Sequence, residues 1–280
     1  MSARRSDVRV APRTCLLVTC EHGGNRIPPR YASRFRGHRA LLESHRGYDP
    51  GALVMARSLA RALRATLVTA TVSRLLVELN RSPGRQFRYS PIMRDAPASI
   101  RDEVCRRYYV PYWTKVEAFV RAAVERDERV VHVSSHSFTP SLDGKTIRHG
   151  DVGLLYDPAR RSEQALCARW QRALAELAPA WVVRRNYPYR GRSDGLTRYL
   201  RTRYPATAYC GIELEINQKH VGPHGAIDAR EKAAVITALR IALEEEGHDG
   251  CRSRQPFALS KRDSRRAAAS AAPVSPSNAD

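Results

Sequence analysis

The sequence predicts an α/β fold, a three-layer α/β/α domain around a mixed, mostly parallel sheet. Three observations predict it. Short runs rich in Val, Leu and Ile, bounded by turn residues, recur along the chain. Segments with apolar residues at helical spacing separate them. Reactive polar side chains stand where the apolar runs finish, and ligands of such sheets bind beyond the carboxyl ends of the strands.

The elements follow in order. Residues 1–13 are Arg-rich, without the apolar stretch of a secretory signal, and are expected to be a disordered basic tail. "TCLLVTC" is the first strand, ending in Glu21, His22, Gly23, Gly24 and Asn25. "DPGALVMARSLARALRA" is a helix, with Asp49 suited to its N-cap and Pro50 to its first turn. "ATLVTATV" and "RLLVELN" read as strands, the second ending in Glu78, Asn80 and Arg81. "RDEVCRRYYVPYWTKVEAFVRAAVERD" is a long amphipathic stretch, with an interruption expected at Pro111. "RVVHVSSH" is a strand ending in Ser135, His136 and Ser137. "VGLLYD", the helix "RSEQALCARWQRALAELAP" and the strand "WVVRRN" lead to the Gly-containing loop "NYPYRGRSDG". "YCGIELEIN" is the last strand, with Glu213 and Glu215 on one face. "AREKAAVITALRIALEEEG" is a closing helix with Gly247 as its stop signal. No linker or repeat divides residues 14–250, so one catalytic-sized domain is expected, followed by a second disordered basic tail over 251–280.

The net charge is +20, of which +7 sits in the two termini. A basic surface attracts nucleic acid or anionic small molecules. The body's arginines are dispersed and not gathered on one helix face, and no nucleic-acid-binding motif is present, so a nucleic-acid-binding protein is the weaker alternative. No apolar run approaches ~20 residues, so no membrane span is expected. The six cysteines lack metal or disulfide spacing and read as reduced thiols of a cytoplasmic protein.

Two histidines, carboxylates and an arginine at strand ends suit metal-assisted hydrolysis of an anionic substrate. Imidazole nitrogens favour Zn²⁺, the metal activates water and polarises a carbonyl, and a carboxylate moves the proton. An arginine fork holds a substrate carboxylate.

The segments "CEHGGNRIP", "HRGYDPGA", "SRLLVELNRSPG", "HSFTP", "NYPYRGRSDGLT" and "GIELEIN", in that order, resemble the N-formylglutamate amidohydrolase family over about residues 14–222. That family is similar to the zinc carboxypeptidases and to succinylglutamate desuccinylase, which implies a zinc-carboxypeptidase-like fold. The resemblance implies one Zn²⁺ per chain on His22 and His136, Glu213 acting on the water, and Asn80 and Arg81 on the substrate carboxylate. It also implies a substrate loop carrying Tyr189, Arg190 and Arg192. One position departs: the family's His-x-x-Glu becomes His22-Gly-Gly-Asn25. The third ligand is therefore either Asn25 or Asp49. Glu21, next to His22 on the strand, should point to the opposite side. Gly23 and Gly24 are expected to let the backbone pass close to metal or substrate. His45, four residues before Asp49, either orients a ligand or is a surface histidine. The expected activity is hydrolysis of N-formyl-L-glutamate or a related small, anionic N-acyl amino acid. An amidase or peptidase on cell-wall peptides is an alternative use of the same site.

Overall fold

Period-two alternation in the longest strands sorts the core into two layers. In β3 (Arg129–Phe138), Val131 and Val133 face one way, while Val130, His132, Ser134 and His136 face the other. β8 (Tyr209–Asn217) alternates in step, with Cys210, Ile212, Leu214 and Ile216 opposite Glu213 and Glu215. The computed structural model describes residues 13–84, 88–142 and 144–252, the last six as helix backbone only. Both expected tails fall almost entirely outside the described residues.

The remaining strands of the main sheet are β1 (Thr14–Cys20), β2 (Thr66–Thr69), β6 (Val152–Leu155) and β7 (Val183–Arg185). A two-stranded hairpin of β4 (Ser141–Leu142) and β5 (Thr146–Ile147) stands apart. The main sheet runs β2-β1-β3-β8-β6-β7, and every pairing is parallel except β6 with β8. The mixed, mostly parallel sheet is thus present as expected.

The helices are α1 (Arg39–Glu43), α2 (Ala52–Leu63), α3 (Pro91–Arg94), α4 (Ala98–Val104), α5 (Val110–Glu125), α6 (Arg161–Leu177), α7 (Leu196–Arg203) and α8 (Ala229–Arg252). α2, α6 and α8 cover one face of the sheet. There Met55, Leu59, Trp170 and Leu239 pack on Val131, Val133 and Ile212. α5 and α7 cover the other, with Trp113, Val116 and Leu200 against Leu17, Val130 and Tyr209.

Four local expectations change. "RLLVELN" is not a strand but a turn-rich segment, although Leu75, Leu76, Val77 and Leu79 are buried. Asp49 does not cap α2: Gly51 occupies the cap position with φ of 81°, and no side chain caps it. Pro111 does not break its helix, because a π-helical turn over Cys105–Tyr109 absorbs the mismatch and Pro111 falls in the first turn of α5. The closing helix runs through Gly247 to Arg252.

Candidate active site

The sheet face toward α5 and α7 starts apolar and becomes polar near the carboxyl ends of its central strands. Thr19 and Glu21 from β1 and its end, Ser134 and His136 from β3, and Glu213 and Glu215 from β8 share that face. Parallel register sets Ser134 beside Glu213 and His136 beside Glu215. His22 lies just past β1 in the turn, and Asp49 is tied to it through the backbone, its N–H donating to the His22 carbonyl at 2.9 Å.

His22 Nδ1 stands 3.2 Å and His136 Nδ1 2.8 Å from the same oxygen, Asp49 Oδ2. Ligand atoms of these three buried side chains all lie within 4.8 Å of one another. Two imidazole nitrogens and one carboxylate oxygen converging on a point are the donor set of a three-ligand zinc site with an open position. The outer ring nitrogens are held as well. His22 Nε2 pairs with Glu78 Oε1. His136 Nε2 lies 3.2 Å from Glu21 Oε2 and 2.9 Å from Ser134 Oγ, which itself donates to Glu21 at 2.6 Å. Carboxylates behind the ring fix its tautomer and aim the inner nitrogen. The residues therefore fit a resident metal ion.

The electrostatics are those of a cation site. Burial would raise Glu78 and Asp49, but Arg74 lowers Glu78 and His22 lowers Asp49, so both stay ionised. Glu21 is likewise lowered, by His136 against its burial. Burial lowers His136, but Asp49 and Glu21 outweigh it and push the imidazole well above its ordinary value. Three carboxylates thus surround two imidazoles.

Residues 14–221 match the N-formylglutamate amidohydrolase family. The chain belongs to that family. Like the rest of it, the chain is a hydrolase of amide bonds. The chain is similar to a gene product of Agrobacterium tumefaciens of known crystal structure, with 28% identity and a TM-score of 0.68 over 85% of this chain and 92% of that one. N-formylglutamate amidohydrolase from Ralstonia eutropha JMP134 shares the fold at 20% identity and TM-score 0.58, covering 86% of this chain and 97% of that one. No curated protein matches the chain in sequence.

The amidohydrolase cavity, about 360 Å³, opens beside the two histidines and Asp49. Asn80, Arg81, Tyr189, Arg190, Glu213 and Glu215 line it. Asn25 and Arg192 do not line it. Asn80 Oδ1 accepts from Leu196 N at 2.8 Å, and its Nδ2 lies 3.4 Å from His136 Nε2. Arg81, which lines the cavity, donates from NH1 to the carbonyls of Asn80 and Asp194 at 2.7 and 3.3 Å. Glu213 Oε1 accepts from Thr197 Oγ1 at 2.7 Å. Burial pushes Glu215 up to about 8.

Two further readings of the sequence change. Gly23 and Gly24 do not clear space for a ligand; a Cβ on either would meet the carbonyl of Ala70 or Thr71, at 2.8 and 2.7 Å. Their bareness packs the turn against the end of β2 and so holds His22 in place. His45 lines the cavity but makes no hydrogen bond with Asp49; Arg74 does, at 3.3 Å. Arg74 also grips Glu78 through two bonds of 2.9 and 2.6 Å. The sequence did offer that signal, an Arg four residues before a Glu, but a strand reading of the segment hid it. Glu21, expected to point away from His22, stands behind the other histidine, His136.

Proposed function

We propose that the protein is a metal-dependent amidohydrolase acting on N-formyl-L-glutamate or a close N-acyl amino acid. The observation that carries this is the convergence of His22, Asp49 and His136 beside Glu213 and Arg81 in one cavity. His22, Asp49 and His136 would hold Zn²⁺, which when bound lowers the pKa of water and polarises the acyl carbonyl.

The chain's own residues do the rest. Glu213 keeps Oε2 for the attacking water while Thr197 holds Oε1 still. It takes a proton as the water oxygen bonds to the acyl carbon, and passes that proton to the nitrogen as the C–N bond breaks. The carboxylic acid so formed yields the second proton, and the products are a carboxylate and an ammonium. Arg81 receives the substrate's α-carboxylate with a bidentate fork, steadied by its bonds to two backbone carbonyls. Asn80 would join Arg81 on that carboxylate through its side-chain N–H groups, while its Oδ1 accepts from Leu196 N and ties it to the start of α7. A cytoplasmic setting fits this reading. The five described cysteines are free thiols, as a reducing compartment keeps them, and no described helix is long and apolar enough to cross a membrane.

The test is hydrolysis of N-formyl-L-glutamate by wild type and Arg81→Ala. Loss of one partner from a desolvated charged pair costs ~2–5 kcal/mol, so kcat/KM should fall by roughly 30-fold to several thousand-fold. Lys at this position should recover little, since it lacks the planar fork. The analogue amidated at the α-carboxylate should be a poor substrate and indifferent to the change. An Arg81→Ala enzyme with wild-type kcat/KM would remove the arginine from recognition.

A further inference from the structure

The 186–190 loop brings Tyr189 and Arg190 to the cavity, and a side chain outside the cavity closes its base. Asn186 follows β7 directly. Its backbone N–H donates to the Leu154 carbonyl at 2.9 Å and extends the pairing of β7 with β6. The chain then turns through the left-handed region, with φ of 52° at Asn186. Asparagine tolerates that conformation better than most residues with a side chain, which by itself would make Asn186 an ordinary turn residue. Its side chain does more. Oδ1 accepts from the N–H of Tyr156, just past β6, at 3.1 Å, and from the N–H of Gly191 at 3.0 Å. One oxygen thus ties the two ends of the tip 187–190 to each other and to the sheet.

The far end of the tip is fixed by the core. Gly191 lies against Tyr156, where a Cβ would come within 2.2 Å of the Tyr156 nitrogen. The Gly191 carbonyl accepts from the buried Arg201 at 2.6 Å, and Arg201 is held in turn by Glu163 at 3.0 Å and the Gly211 carbonyl at 2.7 Å. The near end leans on the Asn186 oxygen. Between them Tyr189 and Arg190 are exposed, with Arg148 donating to the Tyr189 hydroxyl from the rim at 3.1 Å. The base of the tip therefore decides where these two side chains stand. Resting on the proposed activity, we infer that Asn186 is a positioning residue for substrate recognition: its side-chain oxygen closes the base of the tip and so sets Tyr189 and Arg190 against an anionic N-acyl amino acid. Asn186 does not line the cavity. The metal group and Glu213 stand on other segments, so binding answers to Asn186 and the proton step does not.

The experiment compares metal-loaded wild type, Asn186→Gly and Asn186→Asp in steady-state hydrolysis of N-formyl-L-glutamate. Glycine keeps the left-handed backbone and loses both side-chain bonds, whereas aspartate keeps the acceptor and tolerates the backbone. Two neutral hydrogen bonds correspond to roughly 5- to 100-fold in affinity. Asn186→Gly should raise KM by that factor, with kcat within ~3-fold and metal content unchanged, the pattern of binding lost equally from ground and transition states. Asn186→Asp should stay within ~3-fold of wild type in both constants. A second readout needs no substrate. Trypsin cleavage after Arg190, identified by mass spectrometry, should be ~10-fold faster in Asn186→Gly than in wild type or Asn186→Asp, since cleavage follows local opening. Wild-type KM in Asn186→Gly would overturn the assignment, as would a KM in Asn186→Asp as high as in Asn186→Gly. So would a fall in kcat or metal without a rise in KM, or equal cleavage after Arg190 in all three proteins. If wild type fails to hydrolyse N-formyl-L-glutamate while the cleavage rates differ as stated, the activity falls and the closure of the tip by Asn186 stands.

Discussion

Glu213 and Glu215 show how two identical side chains, two residues apart on one face of a strand, meet different surroundings: Thr197 donates to Glu213, while Glu215 is buried and its pKa raised to about 8. The hydroxyl of Thr197 donates to one oxygen of Glu213, which lines the cavity, and the proposed function gives Glu213 the proton of the attacking water. Glu213→Gln should therefore keep fold and metal but lower kcat by ~10²-fold or more, the usual scale for general acid–base catalysis. Steady-state kinetics would check this, and an undiminished kcat would take the proton away from Glu213. Deeper on the same face, His132 is clasped by Thr19 at 2.8 Å and Tyr209 at 2.7 Å. Burial pushes its pKa down to about 4. Below the ordinary value near 6.5, the unfolded chain takes up a proton that the folded chain refuses. Stability is thus lost as pH falls from ~6.5 toward 4, by up to about 3 kcal/mol from this residue. Urea unfolding at pH 7 and pH 4.5 should show a steeper loss in wild type than in His132→Gln. Parallel losses would mean that His132 does not sit neutral in the fold.

At the scale of elements, the site depends on how closely the 186–190 loop approaches β6. A Cβ on Gly153 would lie 1.9 Å from the Tyr187 carbonyl oxygen and 3.2 Å from Glu215 Cβ. Only glycine lets the loop settle there and bring Tyr189 and Arg190 to the cavity. Gly153→Ala must push the loop outward and should lower kcat/KM by roughly 10- to 100-fold with metal content unchanged. Wild-type kcat/KM in that variant would show that the loop does not shape the site. The elements themselves were largely legible, since β1 is a short apolar run bounded by turn residues and β8, α2 and α6 carry a two- or 3.6-residue period. The segment after β2 was not, because a buried apolar run reads as a strand whether or not it pairs. Its Leu75, Leu76 and Val77 are buried in a turn that lets Arg74 and Glu78 reach Asp49 and His22. Asp49 was ambiguous for a related reason: a short carboxylate suits a helix cap and a metal equally, and only the fold shows its oxygen between two imidazoles. The place of Glu21 behind His136 needed the register of β1 against β3, which no local pattern contains.

Across the whole molecule, the parallel sheet gathers groups far apart in sequence at one end of its central strands. His22 and His136 are brought to one carboxylate from β1 and β3, and Glu213 arrives from β8, 77 residues beyond His136. The net charge of +20 suits an anionic substrate, yet it says nothing of the reaction; the cavity does. The central claim is that His22, Asp49 and His136 hold a catalytic metal. Elemental analysis of protein purified without chelator tests it most directly, in wild type, Asn25→Ala, Asp49→Ala and the His22→Ala/His136→Ala double variant. About one zinc per chain is expected in wild type and in Asn25→Ala, and little in the other two, since a three-ligand site does not survive loss of its ligands. Full zinc in Asp49→Ala or in the double variant would contradict the account.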